Sequence, residues 1–449
     1  MPAPQALQRY GKILSLALPI MAAMASQSLL NVVDTYLVGG LGAQSLAAVG
    51  VGGYLNFIAV SLLLGLGTAV QALVARAHGA GQLTLRATPM AAALVLGLLA
   101  TPPIVLLFYY LSDPILGWIS QDIQVQSEAR PYFLMRLAGL FAVAVNFSFR
   151  GYWNGIHRPG VYLRFLIIAH LTNVLLSYGL IYGHWGLPAL GSLGAALGTT
   201  LALCLAMLLN GVYVWRHIQH HQPFSPSPTK PVYQAVTRIA LPTSLQQFFF
   251  AVGMTMMFWI IAHYGTDYLA VSQVLISLTL LLILPALAFG LSATSLVGDA
   301  IGKADIDSAY RWCWDISHIS MVLVLLVATP LWLMPENILA LFLHDNALVQ
   351  LGKQPLRLIA IAVCFDGIAI VFAHALLSSG GAKKVFFASI FAQWGFFLPL
   401  AYIGLQYLAL GFVGLWLLHV CQRLIHMAML MWLWRKQRRL LMHACKNAQ

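Results

Sequence analysis

The chain has 449 residues, of which 60% are hydrophobic and only 8% are charged. Soluble domains carry about 25% charged residues, so this composition excludes a soluble enzyme of this length. A helix that crosses a bilayer needs about 20 mostly apolar residues, which leaves room for about twelve such helices and short loops. The sequence therefore predicts an all-α polytopic membrane protein, with no separate soluble domain.

The net charge of +12 reflects membrane topology rather than a nucleic-acid partner. Most basic residues fall at the N-terminus, in every second loop or near the C-terminus, as the positive-inside rule requires. They are Arg9 and Lys12; Arg76 and Arg86; Arg150, Arg158 and Arg164; Arg216, Lys230 and Arg238; Lys303 and Arg311; Lys383 and Lys384; and Arg423 with the tail RKQRR. This pattern predicts an even number of spans with both termini in the cytoplasm, and lipid head groups as secondary partners.

Apolar windows separated by Gly, Pro or charged residues predict twelve transmembrane helices. The first set lies at 13–38, 46–74, 87–110, 131–152, 161–183 and 191–215, and the second at 237–263, 268–298, 309–334, 352–377, 385–408 and 409–434. The first window resembles a signal peptide, but it continues to about Val38 and has a counterpart in the second set. We interpret it as a permanent span rather than a cleaved leader.

The two sets are an internal repeat. A shift of about 223 residues places LALPI (16–20) on IALPT (239–243) and VARAHG (74–79) on VGDAIG (297–302). The repeat predicts two six-helix bundles related by pseudo-twofold symmetry, with a substrate site between them and transport by alternating access. The predicted domains are an N-lobe at 1–216, a cytoplasmic linker at 217–236, a C-lobe at 237–434 and a basic cytoplasmic tail at 435–449.

Two acidic residues lie deep within predicted spans, Asp34 in the first and Asp366 in the tenth. Because a carboxylate costs about 2.5–3.5 kcal/mol at the centre of a bilayer, such residues indicate a function. The repeat places Met257 opposite Asp34, so Asp34 is not a symmetric packing feature, and we expect it to bind a coupling ion. For Asp366 the alternative is a hydrogen bond to neighbouring backbone, since Gly367 follows it.

Other polar residues recur at helical spacing around Asp34. Gln27 and Asn31 lie on roughly the same side of the first span, and His170, Asn173 and Ser177 follow one another in the fifth. We expect Gln27, Asn31 and His170 to line a substrate cavity and Asn173 to contribute to the ion site. The alternative is that such side chains only join neighbouring helices through hydrogen bonds.

A proline lies in the first span of each half, and an aromatic and methionine cluster lies in the seventh span. Pro19 and Pro242 each remove a helical hydrogen bond, and we expect Pro19 to act as a hinge near Asp34, although a static kink is the alternative. Phe249, Met254 and Met257 are candidates for an adaptable apolar cavity for aromatic cations; packing against lipid is the alternative for most of this cluster.

The sequence predicts no metal site and no cofactor. Its five cysteines, Cys204, Cys313, Cys364, Cys421 and Cys445, show no CxxC spacing and are interpreted as free structural thiols. His220 and His221 fall in the proline-rich linker and are interpreted as solvated loop residues.

The chain resembles the MATE (multidrug and toxic compound extrusion) transporters over nearly its whole length, most of all their DinF branch. The resemblance lies in LALPI (16–20), VVDTYLVGGLGAQSLAAVGVGG (32–53), VARAHGAGQ (74–82), GSLGAALGTT (191–200), IALP (239–242) and FDGIAI (365–370), with Gln27 and Asn173. It implies a 6+6 helix fold with a cavity between two lobes. It also implies export of cationic or amphipathic drugs driven by inward flow of H⁺ or Na⁺, and we expect a monomer in the bacterial inner membrane.

The resemblance also implies roles for single residues. Asp34 matches the aspartate of the N-lobe cation site, Pro19 matches the proline at which that helix is proposed to bend, and Gln27, Asn173 and Thr199 match polar members of the site. Two positions depart from the family pattern. Ser177 stands where DinF-like members commonly carry an aspartate, and Phe250 stands where the NorM branch has a glutamate. Asp366 resembles the tenth-span aspartate of NorM-like members.

The missing second carboxylate at Ser177 favours H⁺ over Na⁺ as the coupling ion, because Na⁺ prefers several oxygen ligands and a full negative charge. The sequence leaves three alternatives: Na⁺ coupling, a flippase for a lipid-linked saccharide, and an integral-membrane enzyme. Few basic residues within the spans count against the flippase. The lack of HExxH, GxSxG or paired-acid motifs counts against an enzyme, and we expect none. A channel is disfavoured because no filter sequence repeats.

Overall fold

The structure, a computed structural model, describes residues 3–221, 227–407 and 410–448, and within these ranges all regular secondary structure is helical. The helices of the first half are α1 (Ala3–Gly39), α2 (Ala43–Gly79), α3 (Thr88–Ile119), α4 (Ile123–Ala138), α5 (Leu140–Gly155), α6 (Pro159–Tyr182) and α7 (Ser192–His221). Those of the second half are α8 (Lys230–Ala262), α9 (Thr266–Gly302), α10 (Ile306–Leu333), α11 (Pro335–Leu339), α12 (Asn346–Ser378), α13 (Ala382–Ile390), α14 (Leu398–Tyr407) and α15 (Phe412–Ala448), with a π-helix at Phe391–Phe397 between α13 and α14.

Eleven stretches of the described chain are long and apolar enough to cross a membrane. The twelfth is the pair α4 and α5, which meet at a bend of 46°. The prediction of an all-α polytopic protein with twelve spans is therefore confirmed.

The fourth span differs from the straight helix predicted at 131–152, because it is bent at Gly139 between α4 and α5. Glycine weakens a helix interior. At this break the hydroxyl group of Thr200 on α7 donates a hydrogen bond to the main-chain oxygen of Met135 over 3.2 Å. A side chain from a neighbouring helix thus satisfies a carbonyl group near the end of α4.

The connections also differ from the prediction. Helix α7 continues to His221 and α8 begins at Lys230, so helix replaces much of the linker predicted at 217–236. Helix α15 continues to Ala448 through the basic tail predicted at 435–449. Lys, Arg, Leu and Met, which dominate the tail, are good helix formers, and hydropathy alone does not detect a helix that leaves the membrane.

Residue contacts divide the chain into two compact units, one formed by Met1–Met21 with Phe249–Gln449 and the other by Ala22–Phe248. The division falls inside α1 and inside α8. These units differ in their boundaries from the lobes predicted at 1–216 and 237–434, and the movement of those lobes as separate bodies stays a prediction.

In the unit formed by Ala22–Phe248, α2 packs against α4 and α5, and α6 packs against α7. Two buried side chains join α5 to α7, where the indole nitrogen of Trp153 donates a hydrogen bond to the Oδ1 atom of Asn210 over 2.9 Å. A buried indole N–H group without a partner would destabilise this core.

In the other unit, α9 packs against α10 and α12, and α12 packs against α15. Leu275, Leu356 and Trp416 are among the fully buried side chains of its core. The guanidinium group of Arg9 forms an ion pair with Asp315 on α10 at 2.6 Å. This ion pair, as well as apolar packing, joins the start of α1 to the rest of this unit.

The π-helix lies in the eleventh span and turns two polar side chains toward α8. Gln393 donates a hydrogen bond to the main-chain oxygen of Phe250 over 3.4 Å, and the indole nitrogen of Trp394 donates one to that of Phe249 over 3.1 Å. A π-helical turn adds one residue to the regular α-helical spacing, and here adjacent residues of the π-helix both reach α8.

Candidate ion-coupling site and apolar pocket

Helix α1 carries a line of polar side chains that hydrogen-bond to one another and to α6. The amide nitrogen of Gln27 donates to the Oδ1 atom of Asn31 over 3.3 Å, and the amide oxygen of Gln27 lies 3.2 Å from the Nε2 atom of His170. Residues four apart share one side of a helix, so the spacing predicts the contact between Gln27 and Asn31. The contact with His170 joins α1 to α6.

Three side chains near this line have buried polar atoms without a hydrogen-bond partner in the described part of the chain. They are the Oδ1 atom of Asp34, both side-chain amide atoms of Asn173, and the Oγ atom of Ser177. Asn173 is 1% exposed and Ser177 is fully buried. Because a buried polar group without a partner costs about 1–3 kcal/mol, we expect these atoms to bind water, a proton or an ion.

A basic side chain that sequence reasoning did not assign to the site acts on Asp34. The positive charge of Arg136, in the last turn of α4, acts on both Asp34 and Tyr132. The Nε and Nη1 atoms of Arg136 are buried and lack hydrogen-bond partners among the described residues. The sequence signal for Arg136 is its position within the predicted fourth span, where the repeat places it opposite Arg357.

Thr199 and Ser177 lie at the contact between α6 and α7. The Thr199 hydroxyl group donates to the main-chain oxygen of Ala195 over 2.9 Å, so its oxygen lone pairs are still able to accept a hydrogen bond or bind a cation. The adjacent Gly198 lies so close to Ser177 that a Cβ atom there would be 2.6 Å from the serine Oγ atom. A larger acidic side chain at position 177 would not fit without displacing α7.

Pro19 lies within α1, which continues as a helix on both sides of it. The division of the chain into compact units falls shortly after it, between Met21 and Ala22. The hinge role of Pro19 stays a prediction, and it is taken up below.

Asp366 forms an ion pair that the sequence did not predict. The Nη1 atom of Arg423 on α15 donates to its Oδ1 atom over 3.2 Å, with only 15% and 4% of the two side chains exposed. The backbone alternative considered for Asp366 does not occur here, since its Oδ1 atom accepts from Arg423 and its Oδ2 atom is buried without a hydrogen-bond partner among the described residues. The assignment of Arg423 to the cytoplasmic tail is wrong, because its side chain is largely buried and pairs with a buried carboxylate.

An apolar pocket lies beside this pair, in the unit that contains α9 and α15. Its wall includes Phe250, Met254 and Met257 from α8, and Trp416, His419 and Arg423 from α15. Phe249, which is predicted to line the substrate cavity, packs against the rings of Phe386 and Trp394 and is not part of this pocket's wall. Met254 and Met257 line this pocket, and no sequence signal assigns His419 or Arg423 to a cavity.

Four cysteines have described side chains, and Cys204, Cys313, Cys364 and Cys421 are all unpaired. This agrees with the prediction of free thiols for these four; the side chain of Cys445 lies outside the described residues.

One family model, MatE, matches the chain over residues 19–179 and 242–403. The two segments begin at Pro19 and Pro242, the prolines that the predicted repeat superimposes. The chain belongs to the MATE family. It is therefore a polytopic membrane transporter.

Relatives and solved structures agree with this assignment over almost the whole chain. "Multidrug resistance protein NorM" of Burkholderia vietnamiensis is 30% identical over 444 residues, covering 92% of this chain and 91% of its own. A "Probable multidrug resistance protein NorM" of Neisseria meningitidis serogroup B is 25% identical, covering 96% and 94%. These relatives carry the NorM name, and the predicted membership of the DinF branch stays a prediction.

The fold of this MATE protein is shared with solved transporters. A structure described as the outward-facing conformation of a multidrug resistance MATE family transporter has a TM-score of 0.86 at 23% identity and covers 99% of each chain. A MOP superfamily transporter from Pyrococcus furiosus has a TM-score of 0.89 at 22% identity, covering 98% of this chain and 99% of its own. At these identities the likeness concerns the fold.

Proposed function

We propose that the protein exports cationic or amphipathic small molecules in exchange for protons that flow inward, with Asp34 as the coupling carboxylate. The observation that carries this proposal is the buried Oδ1 atom of Asp34, which has no hydrogen-bond partner among the described residues. The same unit holds buried polar atoms of Asn173 and Ser177 that also lack partners there. The names of the relatives, multidrug resistance proteins, support drugs as the cargo.

The fixed charge of Arg136 favours a proton over Na⁺. The guanidinium group of Arg136 acts on Asp34 and opposes the binding of any cation there, a proton included. A proton still forms a covalent bond to one carboxylate oxygen, whereas Na⁺ depends on several oxygen ligands and a net negative charge. Ser177 supplies a hydroxyl group where a second carboxylate would be needed to offset that repulsion.

Coupling follows from competition between the proton and the drug. Protonation of Asp34 removes the negative charge that a cationic substrate would neutralise, so proton binding weakens drug binding. By linkage, bound drug weakens proton binding by the same factor. We propose that Pro19, which lacks the N–H group needed for a helical hydrogen bond, lets α1 bend between the two protonation states.

The remaining expectations belong to the same proposal. We propose that the protein works as a monomer in the bacterial inner membrane with both termini in the cytoplasm, and that it moves its substrates without chemical conversion or a cofactor. An even number of spans and the concentration of basic residues in alternate loops support this orientation.

The test is drug transport in proteoliposomes with H⁺ and Na⁺ gradients imposed separately. We expect the H⁺ gradient alone to drive export, and Asp34→Asn to abolish both transport and drug-induced proton release. Asp267→Asn, which changes an exposed acid at the start of α9, should behave as the unchanged protein does. Transport driven only by Na⁺ would favour the sodium-coupled alternative, and full proton-driven transport by Asp34→Asn would refute the proposal.

A further inference from the structure

The exposed face of α15 changes from apolar to basic along the length of the helix. Its first part consists of uncharged side chains that are exposed at every third or fourth position, namely Val413, Leu417, Cys421, Leu424 and Ala428. The same spacing continues through three exposed basic residues that follow an exposed tryptophan, Trp432, Arg435, Lys436 and Arg439. Because residues three and four positions apart share one side of a helix, these side chains form one continuous face.

The length of the apolar part matches the thickness of a bilayer. Helix α15 begins at Phe412, and Trp432 lies twenty residues later, which is about 30 Å along the axis of an α-helix. The hydrocarbon core of a bilayer is also about 30 Å thick. The Trp432 side chain, which is 60% exposed, therefore lies at the boundary of the hydrocarbon, where tryptophan is enriched. The basic residues of the next two turns lie at the level of the lipid head groups.

Among the described residues, no acidic side chain forms an ion pair with Arg435, Lys436 or Arg439. Helix α15 itself contains no acidic residue. Its other basic side chain in this region, Arg438, does have such a partner, since it pairs with Asp307 at 2.8 Å. Like charges three or four positions apart on a helix repel one another. The three residues therefore form a positive surface that an anion would stabilise.

Trp432 positions one of these charges next to the apolar part of the face. The ammonium nitrogen of Lys436 lies over the Trp432 ring, 5.3 Å from its centre, at a distance where the ring attracts a cation. The charge is thus held directly beyond the hydrocarbon boundary. In a phospholipid the phosphate group occupies the corresponding place, directly beyond the acyl chains.

The equivalent face of the first half of the chain has less charge. The repeat places GSLGAALGT (191–199) on GFVGLWLLH (411–419). It thereby matches Trp432, Arg435, Lys436 and Arg439 with four exposed residues of α7, Val212, Trp215, Arg216 and Gln219. One basic residue stands there in place of three. The positive-inside rule counts basic residues whichever side of a helix they occupy, so it does not account for three of them on one exposed side of α15.

We propose that this face binds an anionic phospholipid, with the acyl chains along its apolar part and the phosphate group on its three basic residues. Arginine suits such a ligand, because the planar guanidinium group donates two parallel hydrogen bonds to phosphate oxygens. The lipid belongs to the leaflet at the C-terminal end of α15, which the proposed orientation makes the cytoplasmic leaflet. The inference goes beyond the proposed function, because it concerns a bound lipid rather than an exported molecule and holds whichever ion drives transport.

The experiment measures lipid binding to the purified full-length protein in detergent by native mass spectrometry. The probes are dioctanoyl phosphatidylglycerol, dioctanoyl phosphatidylcholine with the same chains but no net charge, and glycerol phosphate, which is anionic but has no chains. Because each basic residue near a membrane surface favours anionic lipid, we expect phosphatidylglycerol to bind about tenfold or more tightly than phosphatidylcholine. Equal affinities of the two lipids, or displacement of phosphatidylglycerol by an equal concentration of glycerol phosphate, would overturn the inference.

A triple substitution assigns the preference to this face of α15. In Arg435→Gln/Lys436→Gln/Arg439→Gln we expect the two lipids to bind about equally, with the affinity for phosphatidylcholine unchanged. The matched control removes three exposed basic residues from other helices, Arg216→Gln/Arg311→Gln/Lys383→Gln, and should keep the preference at the same net charge. Because all six side chains are exposed, neither variant leaves a buried group without a partner. A preference that persists in the first variant, or falls equally in both, would contradict the assignment.

Photo-crosslinking of the unchanged protein gives a test that does not depend on the variants. Phosphatidylglycerol with a photoreactive acyl chain should label the segment of α15 around Leu424 and Ala428. Unlabelled phosphatidylglycerol should prevent this labelling, and phosphatidylcholine at the same concentration should not. Labelling confined to other helices would overturn the inference. Because neither measurement uses a drug or an ion gradient, loss of proton coupling in Asp34→Asn and loss of lipid binding are separate outcomes.

Discussion

The main-chain N–H group of Gly65 on α2 donates a hydrogen bond to the hydroxyl oxygen of Ser244 on α8 over 3.1 Å, although the two residues are 179 positions apart in the chain. The contact is possible only because residue 65 has no side chain. A Cβ atom there would lie 2.1 Å from the main-chain oxygen of Ala240 and 2.6 Å from the Ser244 hydroxyl group.

Gly65→Ala should therefore destabilise the protein. The methyl group would overlap the backbone of α8, and overpacking of this kind costs about 1–3 kcal/mol, which thermal unfolding in detergent would report as a lower midpoint. Gly53→Ala in the same helix is the control, since a Cβ atom there would meet nothing within 4 Å. The control should be neutral or slightly stabilising, and equal effects of the two substitutions would contradict the close approach of α2 and α8.

Tyr182 holds the C-terminal end of α1. Its hydroxyl group donates to the main-chain oxygen of Leu37 over 2.6 Å, and the carbonyl groups in the last turn of a helix lack helical partners. Tyr182→Phe should lower stability by about 1 kcal/mol and speed amide exchange in the segment after Asp34. Tyr264→Phe removes a similar bond to the oxygen of Leu410 and should leave exchange at the end of α1 unchanged; matching changes there would mean that the effect is not local.

Arg136→Gln tests whether a fixed charge selects the coupling ion. Without the guanidinium group near Asp34, a mobile cation meets less repulsion, so a Na⁺ gradient should drive export several-fold better in the variant than in the unchanged protein. Arg357→Gln is the matched control, because Arg357 is the counterpart of Arg136 in the repeat and donates to the oxygen of Trp332. An unchanged ion preference in Arg136→Gln would remove the electrostatic argument for protons.

Asp305 predicts a pH dependence of stability. Hydrogen bonds from Ser308 at the start of α10 lower the pKa of the Asp305 carboxyl group. A lowered pKa in the folded state means that the ionised carboxylate stabilises the fold above about pH 4, its unfolded pKa. That contribution is lost as the pH falls through the lower folded pKa.

Asp305→Asn should therefore reduce the unfolding temperature at pH 7 and have less effect near pH 3. The charge contributes about 0.3–1 kcal/mol at a helix N-terminus, and solvent exposure of the side chain places it near the lower value. Asp305→Ala also removes the N-cap acceptor and should cost about 1 kcal/mol. A difference between Asp305→Asn and the unchanged protein that stays constant from pH 7 to pH 3 would contradict the role of the charge.

The number and type of the spans could be predicted because lipid leaves the backbone few alternatives to a continuous helix. Contacts within one helix could also be predicted from the sequence, as the hydrogen bond between Gln27 and Asn31 shows. Contacts between different helices could not be predicted in this way. Asp366 and Arg423 are 57 residues apart, and their pairing depends on how α12 and α15 are rotated and shifted against each other, which side-chain packing decides. For the same reason, the sequence alone could not predict that the charge of Arg136 acts on Asp34.

The π-helix at Phe391–Phe397 shifts the helical register between α13 and α14, so the eleventh span consists of two segments in different registers. Counting in steps of three and four residues from α13 into α14 therefore assigns every later side chain to a face about one residue out of phase. An alignment of this span with a regular helix needs a one-residue gap within Phe391–Phe397, and a deletion of one residue there would restore a single register. That deletion would separate Gln393 and Trp394 from the carbonyl groups of α8 that they now contact.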